Sequence, residues 1–285
     1  MKIEFLDKQE NPAMTADGMR IELDCVDFSY FELQILHGIS LDLKEGNLVS
    51  IIGPNGVGKS TLIHCINKIL TPTGGTVSIN GVDNAEISFK DLAKLLGYVP
   101  YTSPNTFPIS VTDAVLMGRH PHNRQAPTDD DLRIVFQTLE DMGIDELADR
   151  QLNELSAGQL QKVILARGLA QEPRALLLDE PTANLDIKHQ MGVTRMLRDI
   201  SHSTGMLVIM ICHDLNIAAK YSDWIIMMSE GRIYSEGDPV DTITEQAISD
   251  VYGVHCKVLI DCGRPHIILR DHDDPSNRLH PDCLT

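Results

Sequence analysis

The segment LVSIIGPNGVGKSTLI (48–63) restricts the possible folds of this chain more than any other. An apolar run of strand length, LVSII, leads into a glycine-rich turn and then into helix-forming sequence. A strand that is apolar without alternation is buried on both faces, as in a parallel sheet covered by helices. The turn GPNGVGKST (53–61) fits the pattern G-x-x-x-x-G-K-[ST], which cradles phosphates. Gly53, Gly56 and Gly58 let the backbone curl so that successive N–H groups point inward, with Pro54, Asn55, Val57 and Thr61 completing the loop. The start of the following helix adds its partial positive charge. Lys59 is placed to reach the β- and γ-phosphates of a nucleotide, and Ser60 to offer a hydroxyl to Mg²⁺.

Two further buried strands are expected at ALLL (175–178) and MLVIMIC (206–212), and each ends in chemistry. In open α/β sheets, ligands bind outside the carboxyl ends of the strands. Asp179 and Glu180 in ALLLDEP would therefore face the same crevice as Lys59, and His213 would join them from the next strand. Asp179 suits a Mg²⁺ position, and Glu180 suits a base that orients and deprotonates water. A lone histidine is more often structural than catalytic. Its place at a strand end lets His213 contact a γ-phosphate.

Around this centre, IELDCVDFSY and ISLDLKEG alternate as strands, GGTVSINGVD reads as a strand pair, and WIIMMSEGRIYSEG as a hairpin. A helix is expected from about Ser60 to Leu70, stopped by Pro72 and Gly74, and another near Phe89–Leu95. Residues 110–170 read as mainly helical. Ser110 with Asp113 forms a capping box, and TDDDLRIVFQTLEDMG places Leu132, Val135, Phe136 and Leu139 on one face. LSAGQLQKVILARGLAQEP is a helix capped by Ser156, with an apolar face of Leu160, Val163, Ile164 and Leu169.

A net charge of −17 argues against a general nucleic-acid binder. No apolar run approaches the roughly 20 residues of a spanning helix. The first residues carry too many charges for a secretory signal. Six scattered cysteines without a C-x-x-C pair predict reduced thiols in a cytoplasmic protein, Cys256 and Cys262 among them inert. His272, Asp273, Asp274, His280 and Cys283 match no compact metal site and read as a solvated tail.

The order of phosphate loop, proline-rich loop, helical stretch, LSAGQ, LLLDEP, ANLD and strand-terminal histidine resembles the nucleotide-binding subunit of ATP-binding cassette (ABC) transporters, from about Ile21 to Val258. That resemblance implies an α/β, P-loop NTPase (RecA-like) core with an antiparallel β subdomain and a helical insert near 100–165. The corresponding division is a weakly ordered leader (1–19), an ATPase domain (20–258) and a polar tail (259–285). It also implies ATP and Mg²⁺ as ligands, with Ser60 and Asp179 toward the metal and Lys59, Glu180 and His213 as catalytic groups. Two subunits would pack head to tail, so that Ser156, Gly158 and Gln159 act on the partner's ATP and Asp186 couples the two sites. Tyr30 matches the aromatic that stacks on adenine; an ordinary strand tyrosine reads identically in the sequence.

FPISVTDAVLMGRHPH and EGDPVDTITEQAISDVYGVHCKV resemble the importer ATPases for iron–siderophore, haem and cobalamin cargo, a type that some molybdate or tungstate importers share. Separate permease subunits, a substrate-binding protein and a place on the cytoplasmic membrane face are then implied. A soluble ABC ATPase acting on ribosomes, DNA or iron–sulfur assembly is the competing reading, and a kinase is a third that LSAGQ disfavours. One position departs from the family. After GYVP, where a glutamine reaches Mg²⁺ and the attacking water, this chain has Tyr101, either as tolerated drift or as a cause of slower hydrolysis or altered coupling.

Overall fold

The computed structural model describes residues 18–101, 108–122, 126–183 and 185–270. Most of the expected leader, most of the proline-rich loop, Asn184 of ANLD and the metal-ligand types of the tail lie outside the described residues. In chain order the elements are β1 (Arg20–Tyr30), β2 (Leu33–Lys44), β3 (Leu48–Ile52), α1 (Lys59–Ile66), β4 (Gly74–Ile79), β5 (Val82–Asp83), α2 (Phe89–Leu95) and β6 (Leu96–Val99). Then follow α3 (Val111–Leu116), α4 (Asp129–Asp141), α5 (Ala157–Ala170), β7 (Ala175–Leu178), α6 (Ile187–Thr204), β8 (Leu207–Ile211) and α7 (Leu215–Tyr221). The last are β9 (Trp224–Ser229), β10 (Arg232–Gly237), α8 (Pro239–Thr242), α9 (Glu245–Tyr252), β11 (His255–Asp261) and β12 (Arg264–Arg270).

The central sheet has the order β10-β9-β3-β8-β7-β6, with β9, β3, β8, β7 and β6 parallel and β10 antiparallel at one edge. Its middle strands are buried along their whole length and alternate between two cores. Leu48 and Ile52 of β3, with Val208 and Met210 of β8, face the helical side. Val49, Ile51, Ile209 and Ile211 face the second core, closed by α1 and the antiparallel sheet β2-β1-β4-β5. The period of two along a strand thus feeds both cores at once.

In β1 the inward residues change phase, from Ile21 and Leu23 to Val26 and Phe28. A one-residue slip would turn the second half outward. The register shifts between Leu23 and Val26, where Cys25 takes φ 48°, and this bulge restores the inward face.

Helix α1 ends at Ile66, four residues before the expected stop at Leu70. Lys68 enters the left-handed region at φ 58°, and the Asn84 side chain donates to the Cys65 and Ile66 carbonyls at 3.1 and 3.4 Å. A residue 18 positions away therefore terminates the helix. Ser110 and Ser156 cap α3 and α5 as the sequence predicts.

Helix α4 corrects the expected apolar face. Asp131, Val135 and Leu139 form the buried stripe, while Leu132 and Phe136 are 37% and 51% exposed. The cause is an ionic cluster: buried Arg119 donates to Asp131 (2.9 Å), Glu172 (2.8 Å) and the Ala170 carbonyl (2.7 Å). That demand, together with the Thr128–Asp131 capping box, turns Asp131 inward.

The boundary expected at 258 falls inside β11. Hairpin β11–β12 runs to Arg270 and is tied to α7, where Asn216 exchanges hydrogen bonds of 3.1 and 2.7 Å with the Ile267 backbone. Met19 is likewise built in, buried and bonded through its N–H to Glu45 at 3.0 Å. Among the described residues the five cysteines are free.

Candidate nucleotide-binding site

The parallel strands bring their carboxyl ends together, and the loops that leave β3, β7 and β8 carry the candidate residues. After β3, Gly53, Gly56 and Gly58 take φ values of 148°, 82° and 99°, which side chains rarely tolerate. Around Gly56 no atom lies within 4 Å of where a Cβ would sit, so that side of the loop is open. Gly58 is the N-cap of α1, and no side chain caps this end. The first N–H groups of α1 are thus left for an anion. Lys59 is buried, with Nζ donating to the Gly53 and Pro54 carbonyls at 2.7 Å each. Burial lowers its pKa, and the charges of Glu180 and Asp179 oppose that.

The Ser60 hydroxyl donates to Asp179 Oδ1 at 3.1 Å, joining the loop to the end of β7. Asp179 is buried, which raises its pKa, while the Ser60 hydrogen bond pulls it down. Behind this pair, His64 lies one helical turn after Ser60 and meets the Tyr98 hydroxyl at 2.9 Å. Glu180 takes φ 52°, a backbone conformation costly for a glutamate. That turn brings its Oε1 to 2.6 Å from His213 Nε2, so the carboxylate and the imidazole at the ends of β7 and β8 form a pair.

Mg²⁺ takes hard oxygen ligands and commonly combines one or two protein groups with substrate phosphates. The Ser60 hydroxyl and the Asp179 carboxylate beside an open phosphate cradle fit that donor set. Among the described residues no cluster of three or more His, Cys, Asp or Glu could hold a metal alone.

Tyr30 lies where the β1–β2 hairpin turns, 44% exposed, edge-on to Phe28 and paired with Leu33. The same β2 brings Ile35 and Leu36 against Gly58. Tyr101 lies two residues beyond the end of β6 and is half exposed. Ser156, Gly158 and Gln159 begin α5, where Ser156 Oγ accepts the Gln159 N–H and Gln159 Oε1 accepts the Ser156 N–H. Beside them lies α6, whose N-cap is Asp186 and whose His189 abuts Gly158. Three residues touch this machinery without having been singled out in the sequence. They are His189, Gln190, which donates to the Thr182 carbonyl at 3.3 Å, and Tyr252 of α9, whose phenol rests against the Gly53 N–H. Their only sequence signal is place: His189 and Gln190 follow ANLD closely, and Tyr252 lies within EGDPVDTITEQAISDVYGVHCKV.

Fold and loop together define a phosphate-loop nucleotide-binding protein. The family model for the ABC transporter matches residues 36–183. An uncharacterized ABC transporter ATP-binding protein of Methanocaldococcus jannaschii is 45% identical over 88% of this chain and 98% of its own length. The hemin import ATP-binding protein of Rhizobium meliloti is 39% identical over 80% and 88%. The ferric enterobactin transport ATP-binding protein of Escherichia coli is 31% identical over 92% and 98%. Among solved structures, a dimeric bacterial ABC transporter cassette superposes with a TM-score of 0.68 at 29% identity, over 76% of this chain and 98% of that one. The chain belongs to the ABC transporter family and is an ATP-binding cassette. Among its described residues no helix is long and apolar enough to cross a membrane.

Proposed function

We propose that this chain hydrolyses Mg-ATP as one half of a head-to-tail dimer and thereby powers a membrane importer for a metal-chelate cargo of the iron–siderophore, haem or cobalamin type. The observation that carries the catalytic reading is the Glu180–His213 pair, 2.6 Å apart at the crevice that also holds Lys59 and the Ser60–Asp179 bond.

In this reading the N–H groups of residues 55–61 and the Lys59 ammonium bind the phosphates, and Tyr30 stacks on the base. Ser60 and Asp179 hold Mg²⁺, which when bound withdraws charge from the phosphate oxygens. Glu180 orients a water and takes its proton; His213 fixes the carboxylate and contacts the terminal phosphate. Ser156, Gly158 and Gln159 offer a second helix N-terminus to the partner's nucleotide, and Asp186 lies at the junction of the two sites. Nucleotide binding closes the dimer, hydrolysis and release reopen it, and permease subunits follow by population shift. Tyr101 replaces an amide oxygen with a phenol, a weaker water and metal partner, so hydrolysis is slowed.

The cargo class is supported by the hemin import and the ferric enterobactin transport named for two of the relatives. The test is expression of the chain with the membrane proteins encoded beside it. Co-purification with an integral membrane protein and chelate uptake dependent on Glu180 are expected. Association with ribosomes or DNA, without a membrane partner, would refute the transport reading.

A further inference from the structure

The first turn of α6 holds an imidazole between its own N-cap and the first turn of α5. His189 Nδ1 lies 2.8 Å from Asp186 Oδ1, and the same oxygen accepts the His189 backbone N–H at 2.8 Å. The ring is therefore fixed from its δ edge. Its opposite edge faces Gly158: a methyl group on Gly158 would fall 2.9 Å from Cδ2 and 3.2 Å from Nε2, too close to be accommodated without movement. The His189 side chain is 53% exposed, so hydrophobic burial does not explain its placement. The next residue, Gln190, is tied to the Thr182 carbonyl two positions after Glu180.

We infer that His189 is a positioning residue that holds Ser156–Gln159 in register with the Asp186 turn, so that both meet the second nucleotide as one rigid surface. This rests on the reading that Ser156 and Gly158 act across a dimer. Gly158 is then glycine partly because its Cα is the seat of the imidazole. A displacement of about 1 Å in a positioning group can cost on the order of a hundredfold, so a partial loss of about tenfold is expected for a ring that acts through its neighbours.

The experiment measures ATP-driven dimerisation by sedimentation in the Glu180→Gln background, alongside ADP binding to the monomer. His189→Ala should require about tenfold more ATP to dimerise, with ADP affinity unchanged. Gly158→Ala should impair dimerisation, and combining it with His189→Ala should be non-additive by at least about threefold, because removing the ring makes room for the methyl. Dimerisation of His189→Ala at wild-type ATP concentrations would overturn the inference. So would a parallel fall in ADP affinity, which marks general damage, or strict additivity with Gly158→Ala. If Glu180→Gln alone binds nucleotide yet stays monomeric, the dimer reading falls and the inference with it. If Glu180→Gln dimerises and His189→Ala does not impair it, only the role of His189 is lost.

Discussion

Substituting Lys59 by alanine isolates the contribution of one ammonium to nucleotide binding. In the free protein its Nζ is held by two neutral carbonyls, Gly53 and Pro54, at 2.7 Å each. Nucleotide binding exchanges these acceptors for phosphate oxygens. Hydrogen bonds involving a charged group contribute about 1.5–3 kcal/mol each, and pairs with both partners charged are the stronger ones. Two phosphate contacts at the upper end of that range, less the two carbonyl contacts given up at its lower end, leave a net of about 3 kcal/mol. At 1.4 kcal/mol per decade, Lys59→Ala should weaken ATP binding about 140-fold. The free protein loses two hydrogen bonds but also the cost of keeping an ammonium buried, so its unfolding midpoint should fall by no more than about 4 °C. A fluorescent ATP analogue titrated into each protein, with thermal unfolding alongside, measures both quantities. Affinity within threefold of wild type would refute the phosphate contact. A joint collapse of affinity and midpoint would mean that the lysine supports the loop and not the ligand.

Glu180→Gln should lower turnover by at least about a hundredfold and accumulate an ATP-bound dimer on size exclusion; normal hydrolysis would remove Glu180 as the base. Tyr101→Gln should raise ATP turnover severalfold with little change in nucleotide affinity, and an unchanged rate would mark the tyrosine as neutral drift. Arg119→Met leaves Asp131 buried without its cation and should destabilise the fold by about 3–5 kcal/mol, read by denaturant unfolding. Burial alone would raise the Asp131 pKa, but the Thr128 hydroxyl and N–H and the Arg119 guanidinium bring it from 3.8 down to about 2. A depressed carboxylate stabilises the fold fully above its unfolded value and loses that contribution as pH falls from near 4 toward 2. Asp131→Asn should therefore flatten the acid limb of stability in that window; an unaltered limb would contradict the assignment.

The phosphate loop was legible in the sequence because its backbone is encoded locally: three glycines license three positive φ angles, and a lysine and a serine follow at fixed offsets. Asp179, Glu180 and His213 were legible at one remove, since parallel strands bring their carboxyl ends to one edge whatever the loops do. Local sequence also announced the Ser110 and Ser156 caps. What it left undetermined depended on partners distant in the chain. Asn84 ends α1 early, and Arg119 rotates α4 so that an aspartate is buried where leucine and phenylalanine were expected. Asn216 anchors a hairpin in what read as a tail. The 2.6 Å pairing of Glu180 with His213 and the seat of His189 against Gly158 are of the same kind. Sequence by itself determined the nucleotide chemistry and the strand pattern, because both follow from spacing and apolar periodicity. Only the tertiary structure decided which polar side chains meet, because a buried charge or an open carbonyl is satisfied by whichever donor the packing brings within about 3 Å.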